Sequence, residues 1–252
     1  MKPINLILDE ETSSNYYVKE AFNSLRANIL FLPKEIKTIV FTSCLAHEGK
    51  STVCFDISRN LAEAGKRVLL VDADLRKSVM VTRHTEEKGV YGLSHILSGQ
   101  VEAADAIYRT NVENLNVVFS GPYPPNPTEL VGGPAFKEFL DSQRENYDYI
   151  FVDAPPLGLV VDAAVISNVC DGTILVMSVG HVKYRLAQQV KTQLEKSGKK
   201  ILGVVLNQVD RKKGIKTDYS FYGAYLSETP DNYNYAYATK AKSNKPEKTN
   251  KK

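Results

Sequence analysis

Six short apolar runs rich in β-branched residues recur along the chain: Thr38-Ile-Val-Phe-Thr, Val68-Leu-Leu-Val, Leu115-Asn-Val-Val-Phe, Tyr149-Ile-Phe-Val, Thr173-Ile-Leu-Val-Met and Ile201-Leu-Gly-Val-Val-Leu. Turn residues or charges bound each run, and roughly 20–40 residues separate one from the next, enough for a crossover helix. Near-continuous apolar runs of this length read as strands buried on both faces. The pattern predicts an α/β fold, a doubly wound, mostly parallel sheet in a three-layer sandwich. Ahead of the first run, Val18, Phe22, Leu25 and Ile29 fall at i, i+4, i+7 and i+11. They form one stripe of a helix, with Glu20 and Asn23 pointing roughly the other way and Arg26 flanking the stripe. A helix that docks by such a stripe and offers a polar row outward is a candidate subunit contact.

After Val209 the periodicity stops. The remaining residues are polar and carry six of the fourteen tyrosines, Tyr219, Tyr222, Tyr225, Tyr233, Tyr235 and Tyr237, with only Phe221 and Leu226 as apolar company. That is too little for a core. The expected organisation is an N-terminal segment with its helix (residues 1–35), a folded body (36–210) and a flexible, tyrosine-rich, basic tail (211–252).

Charge adds one distinction. The formal net charge is +3, yet six lysines face one glutamate between Lys240 and Lys252, so the body itself is close to neutral. Neutralising phosphates along a nucleic acid takes a basic face rather than a tail, so no nucleic-acid partner is expected. The cysteines, Cys44, Cys54 and Cys170, are odd in number and lack ligand spacing, which argues against a disulfide scaffold and a zinc site. No apolar run approaches the ~18–20 residues that span a bilayer, and Met-Lys-Pro-Ile-Asn does not open a signal peptide. A cytoplasmic protein is expected, brought to any membrane by something else.

Candidate chemistry begins after the first run, at Ser43-Cys-Leu-Ala-His-Glu-Gly49-Lys50-Ser51-Thr52 followed by a helical pattern. Strand, loop, Gly-Lys-Ser-Thr and helix is the context of a P-loop, so the fold is expected to be of the P-loop NTPase type. The helix N-terminus offers N–H groups to phosphate, Lys50 reaches the outer phosphates and Ser51 ligates magnesium. The full pattern has glycine where this chain has Cys44. Two more motifs sit at strand ends: Asp72-Ala-Asp74-Leu-Arg76, whose acids at i and i+2 share one side of the chain, and Asp153-Ala-Pro155-Pro156. Three acids at the carboxyl ends of strands, beside Gly-Lys-Ser-Thr, make a site for magnesium and a nucleotide.

Together these segments resemble the bacterial tyrosine kinases (BY-kinases), in the Gram-positive cytosolic form found in capsular and exopolysaccharide synthesis. The resemblance implies Gly49-Lys50-Ser51-Thr52 as Walker A, Asp72 to Arg76 as Walker A′ and Asp153 as Walker B. It further implies an ATP-dependent protein tyrosine autokinase that phosphorylates the six terminal tyrosines and regulates polymer polymerisation and export. On that reading Glu48, Gly49, Lys50, Ser51 and Thr52 cradle the phosphates, Thr52 at the α-phosphate, while Ser51, Asp74 and Asp153 hold Mg2+. Lys50 stabilises the transferring phosphate, Asp72 orients or deprotonates the acceptor, and Asn207 lies at the purine. Asp72 and Asp74 could exchange roles. The implied partners are a separate transmembrane activator of the polysaccharide co-polymerase type, a cognate tyrosine phosphatase, and further copies of the chain in a ring through a Glu-x-x-Arg-x-x-Arg helix, here Glu20, Asn23 and Arg26. The activator would recruit the kinase to the inner face of the membrane.

The chain departs from the family at three places. Ala46 and His47 stand where the loop usually has Pro-Gly, and Asn23 replaces the helix's middle arginine. A non-glycine residue held at positive φ costs ~1–3 kcal/mol, which is expected to weaken nucleotide binding. Two other readings fit parts of the sequence. A MinD- or ParA-like ATPase shares the fold but carries a signature lysine where this chain has Leu45. A nucleotide-sensing scaffold without catalysis needs only the fold. Tyr16, Tyr17, Tyr147 and Tyr149 are expected to pack rather than to be phosphorylated, His47 to be an exposed loop residue, and Cys44 to be open to oxidation beside the nucleotide.

Overall fold

The computed structural model describes residues 2–8, 16–87 and 89–209. The six tail tyrosines lie outside the described residues. Eight strands, β1 (Lys2–Ile4), β2 (Thr38–Ser43), β3 (Val68–Asp72), β4 (Tyr108–Thr110), β5 (Leu115–Val118), β6 (Tyr149–Asp153), β7 (Gly172–Ser178) and β8 (Lys200–Asn207), form one sheet in the order β1-β4-β5-β3-β6-β2-β7-β8. All neighbours are parallel except β4 and β5. The described helices are α1 (Tyr16–Leu30), α2 (Lys50–Glu63), α3 (Met80–His84), α4 (Leu93–Leu97), α5 (Ala103–Ala106), α6 (Pro127–Gly132), α7 (Pro134–Gln143), α8 (Asp162–Ser167) and α9 (Tyr184–Lys196).

Alternation along the strands divides the core in two. Val40, Leu69, Val71, Ile150 and Val152 meet Phe136, Phe139, Leu140, Ile166 and Val190 from α7, α8 and α9. Ile39, Phe41, Leu70 and Phe151 meet Phe55, Ile57 and Leu61 of α2 and Ile29 of α1. Helices therefore cover both faces, as the three-layer expectation requires. Ile29 is buried, Phe22 and Leu25 pack partly against the same cluster, and Asn23 Nδ2 donates to Glu20 Oε1 at 2.9 Å.

Three details differ from the expected pattern. Strands β1 and β4 are additional, and β8 is not buried on both faces: as the sheet's edge it leaves Val204 and Leu206 about half exposed. Tyr147 is buried, as its packing role requires, and its hydroxyl accepts from Asn116 Nδ2 at 2.7 Å. Tyr16 and Tyr17 are instead partly exposed, edge-to-face against each other. No helix among the described residues is long and apolar enough to cross a membrane.

Candidate functional site

Strand order decides which residues can meet. The central trio β3-β6-β2 places three carboxyl ends side by side, with Asp72 in register with Asp153, and Asp153 in register with Phe41. The chain leaving β2 must turn sharply to enter α2, and its loop is braced from inside. The Glu48 carboxylate is buried and accepts from the N–H of Leu45 at 2.6 Å and of Ser178 at 2.9 Å. From the end of β8, Asn207 Nδ2 donates to the Glu48 carbonyl at 2.9 Å and Gln208 Nε2 to the His47 carbonyl at 3.0 Å. Glu48 and Asn207, both expected to touch nucleotide, thus spend their side chains on the loop itself. His47 is exposed at φ 66°, the positive-φ cost its sequence position foretold, and Gly49 follows at φ 83°.

Gly49 caps α2 without a side-chain hydrogen bond, so the first-turn N–H groups of this 14-residue helix face outward with the positive end of its dipole. Lys50 opens the helix and is almost wholly buried. Its Nζ lies 3.3 Å from Asp74 Oδ2, 3.3 Å from Asp153 Oδ1 and 3.0 Å from Ser51 Oγ. Burial alone would lower the Lys50 pKa, but the carboxylates of Asp153, Asp74 and Asp72 outweigh it and hold the ammonium charged. Burial raises Asp153, although Lys50 and Ser51 oppose the rise. Thr52, exposed, completes the first turn, and Arg83 of α3 donates to its hydroxyl at 3.3 Å. Lys50 and Ser51, from the first turn of α2, are therefore brought together with Asp72, Asp74 and Asp153 from the carboxyl ends of β3 and β6.

Asp72 is the most enclosed of the acids. It is fully buried; its Oδ1 accepts from the Asp74 N–H at 3.2 Å and its Oδ2 from the hydroxyl of Ser78. Burial first, then the neighbouring Asp153, pushes its pKa up to about 7 against the donation from Ser78 and the charge of Lys50. The folded state then holds a proton that the unfolded chain, with an aspartate near 3.9, releases. The contribution of Asp72 to stability without nucleotide therefore falls as pH rises from ~4 to ~7. Asp72→Asn is expected to flatten that slope and to melt higher than the parent at pH 7.5 by a few degrees, read from nucleotide-free thermal melts between pH 5 and 8 in chelator.

One further pair ties the motifs together. Arg76 Nε donates to Asp162 Oδ2 at 2.6 Å and Nη2 to Oδ1 at 3.2 Å, while Thr128 Oγ1 donates to the same Oδ1 at 2.6 Å. Asp162 is buried at the start of α8, the helix reached directly after the Asp153 loop. The bridge from Arg76 thus fixes the loop bearing Asp72 and Asp74 relative to the loop bearing Asp153. Asp162 is not conspicuous in the sequence because its partner lies 86 residues away; the arginine two residues after Asp74 is the available signal. Asp162→Asn is expected to lower kcat on the order of tenfold with little change in KM for ATP, since misplaced acids cost orientation more than binding; initial-rate kinetics check it.

Cys44 is corrected as a redox candidate. It is fully buried, and burial, then Glu48, pushes its thiol up to about 11, so little reactive thiolate forms. Burial likewise raises Cys54 and Cys170. Leu45, at the signature-lysine position of the ATPase alternative, packs partly against the core. Among the described residues no three His, Cys, Asp or Glu side chains converge as a metal cage. Two carboxylates and a hydroxyl suit a hard cation that takes its other oxygens from water and phosphate, so the donor set fits Mg2+ bound with a nucleotide.

Known proteins are similar to this chain in sequence and fold. A family profile described as an AAA domain matches residues 36–201. The tyrosine-protein kinase CpsD of Streptococcus agalactiae is 42% identical over 217 residues, which cover 86% of this chain and 95% of CpsD. The tyrosine-protein kinase YwqD of Bacillus subtilis (strain 168) is 35% identical over 216 residues, 85% of this chain and 88% of YwqD. The crystal structure of the chimerical protein CapA2B2 superposes with a TM-score of 0.74 at 31% identity, covering 83% of this chain and 94% of that one. Identity of 42% and 35% to tyrosine-protein kinases, over 86% and 85% of the chain, makes this chain a member of the bacterial tyrosine kinase family.

Proposed function

We propose that the chain is an ATP-dependent protein tyrosine autokinase of capsular or exopolysaccharide synthesis, transferring the γ-phosphoryl group of ATP to its own terminal tyrosines. The observation that carries this is Lys50 Nζ at 3.3 Å from both Asp74 and Asp153, at the mouth of an uncapped helix N-terminus. The lysine is poised between the acids and the place where phosphates bind. In the reaction the phenolic oxygen bonds to the γ-phosphorus, the bond from that phosphorus to the β–γ bridging oxygen breaks, and ADP leaves.

Each residue has a task in that transfer. Gly49, Lys50, Ser51 and Thr52 hold the phosphates by backbone N–H and side chain, Thr52 at the α-phosphate, and Lys50 neutralises charge on the moving group. Mg2+ would be held by Ser51, Asp74 and Asp153, and when bound it neutralises phosphate oxygens. Asp72 takes the phenolic proton; since Ser78 occupies its Oδ2, the proton passes by way of that hydroxyl. Glu48 and Asn207 support the loop from behind, and Asn207, at the end of β8 beside Gly49, would lie on the purine side of the site.

The acceptors we infer are Tyr219, Tyr222, Tyr225, Tyr233, Tyr235 and Tyr237, reached in trans from a neighbouring copy. Glu20 and Arg26 would form the contact that assembles such copies, with Asn23 in place of one arginine. A separate transmembrane activator would bring the kinase to the inner face of the membrane and regulate polymer export with it, and a tyrosine phosphatase would reset the tail. Purified chain, alone and with the activator's cytoplasmic segment, incubated with magnesium and ATP tests the reading. Phosphotyrosine on the terminal peptide by mass spectrometry, absent from Lys50→Met, supports it. Phosphate release without labelling would mark an ATPase, and neither signal a scaffold.

A further inference from the structure

Beside the strand-end acids lies a hollow of about 570 Å3 that no P-loop residue lines. Asp74 and Ser78 form part of its lining, together with Lys77, Tyr91, His95 and Tyr123. It therefore meets the catalytic machinery through the Walker A′ loop alone. Ser78 joins it to the buried Asp72 by one hydrogen bond.

The lining has a definite chemical character. Tyr123 is 63% and Tyr91 41% exposed, and Tyr91 stands edge-to-face with His95 at 5.2 Å. Exposed rings flanking a recess offer faces and edges to another aromatic ring. Asp74 is the single acid of the lining, and Lys50 neutralises it. Lys77 is exposed, and its ammonium makes no ion pair with any described residue; Lys2 Nζ adds a second cation 5.6 Å from the Tyr91 ring centre. The recess is thus aromatic with a positive rim. Within the chain's own basic C-terminal sequence, two of the six tyrosines carry a local charge complementary to that rim, an acid one or two residues ahead in Asp218-Tyr219 and Asp231-Asn232-Tyr233.

We propose that this hollow is the acceptor pocket. It seats the tyrosine side chain of a second copy's tail against Tyr91 and Tyr123, and Lys77 reads the acidic residue ahead of Tyr219 or Tyr233. The inference rests on the kinase reading above and adds to it the residues that choose the acceptor.

The test separates enzyme from acceptor. The enzyme is the full chain with Tyr219→Phe and the same change at Tyr222, Tyr225, Tyr233, Tyr235 and Tyr237, and the acceptor is the full-length Lys50→Met chain. In the enzyme, Tyr123→Ala and Lys77→Glu are each expected to raise KM for the acceptor about 5- to 20-fold. KM for ATP and affinity for a fluorescent ADP analogue should stay within about threefold. Tyr123→Phe keeps the parental KM because the ring remains. Asp218→Lys with Asp231→Lys in the acceptor restores transfer by the Lys77→Glu enzyme. Acceptor KM unmoved by both enzyme variants, or a shift in KM for ATP instead, overturns the pocket. A parental pair that transfers no phosphate, with the activator segment present, overturns the kinase reading itself.

Discussion

Lys50→Met is expected to reduce phosphotyrosine formation by about 10^3-fold or more while leaving the protein folded. Its ammonium is the one cation within ion-pair distance of Asp74 and Asp153 among the described residues, and on the proposed mechanism it moves with the phosphoryl group. Removing a single preorganised donor from developing charge costs ~10^2–10^3 in rate, and a full cation on a transferring phosphate ~10^3–10^5. The fold survives because buried acids that lose their cation need not stay ionised: the pKa values of Asp72 and Asp153, already raised by burial, rise further and these two take up protons. Radiolabel transfer from γ-labelled ATP, with a thermal melt as fold control, measures both halves. A variant that melts like the parent and still labels its tail at a tenth of the parental rate would remove Lys50 from the chemistry.

Gly49→Ala is expected to weaken nucleotide binding by at least about 10- to 100-fold, by a different route. The new Cβ would stand 2.1 Å from Asn207 Nδ2, at a backbone φ of 83° that side-chain-bearing residues rarely adopt. The strain amounts to ~1–3 kcal/mol, or roughly 10- to 100-fold in affinity, before the collision is counted. Asn207 cannot withdraw freely, because its amide holds the Glu48 carbonyl. Adding Asn207→Ala relieves the contact but also releases that carbonyl, so the double variant should regain only part of the loss. Titration with a fluorescent ADP analogue distinguishes the two contributions; full recovery in the double variant would mean the backbone carries no strain there.

What could be foreseen from sequence followed the reach of each signal. The strands β2, β3, β5, β6 and β7 announced themselves because a strand buried on both faces must be apolar throughout, and Asp72 and Asp153 were conspicuous as charges ending such runs. Strands β1 and β4 have three residues each, too short for any periodicity. Pro3 even argues against a strand, and is tolerated because β1 lies at the sheet's edge. The inward turn of Glu48 was equally hidden: in a loop an acid reads as solvated or ligand-facing, and only the proximity of Ser178, 130 residues later, supplies its donor. Asp162 and Ser78 belong to the same class, polar residues whose meaning comes from a partner that folding delivers.

The burial of Cys44, Cys54 and Cys170, the chain's three cysteines, has a practical side. Sulfhydryl-directed dyes should leave the native protein unlabelled, so a lone cysteine introduced as Tyr123→Cys would give a fluorophore a unique attachment point at the rim of the hollow. Its emission could then report, in real time and without radioactivity, the arrival of one copy's tail at another.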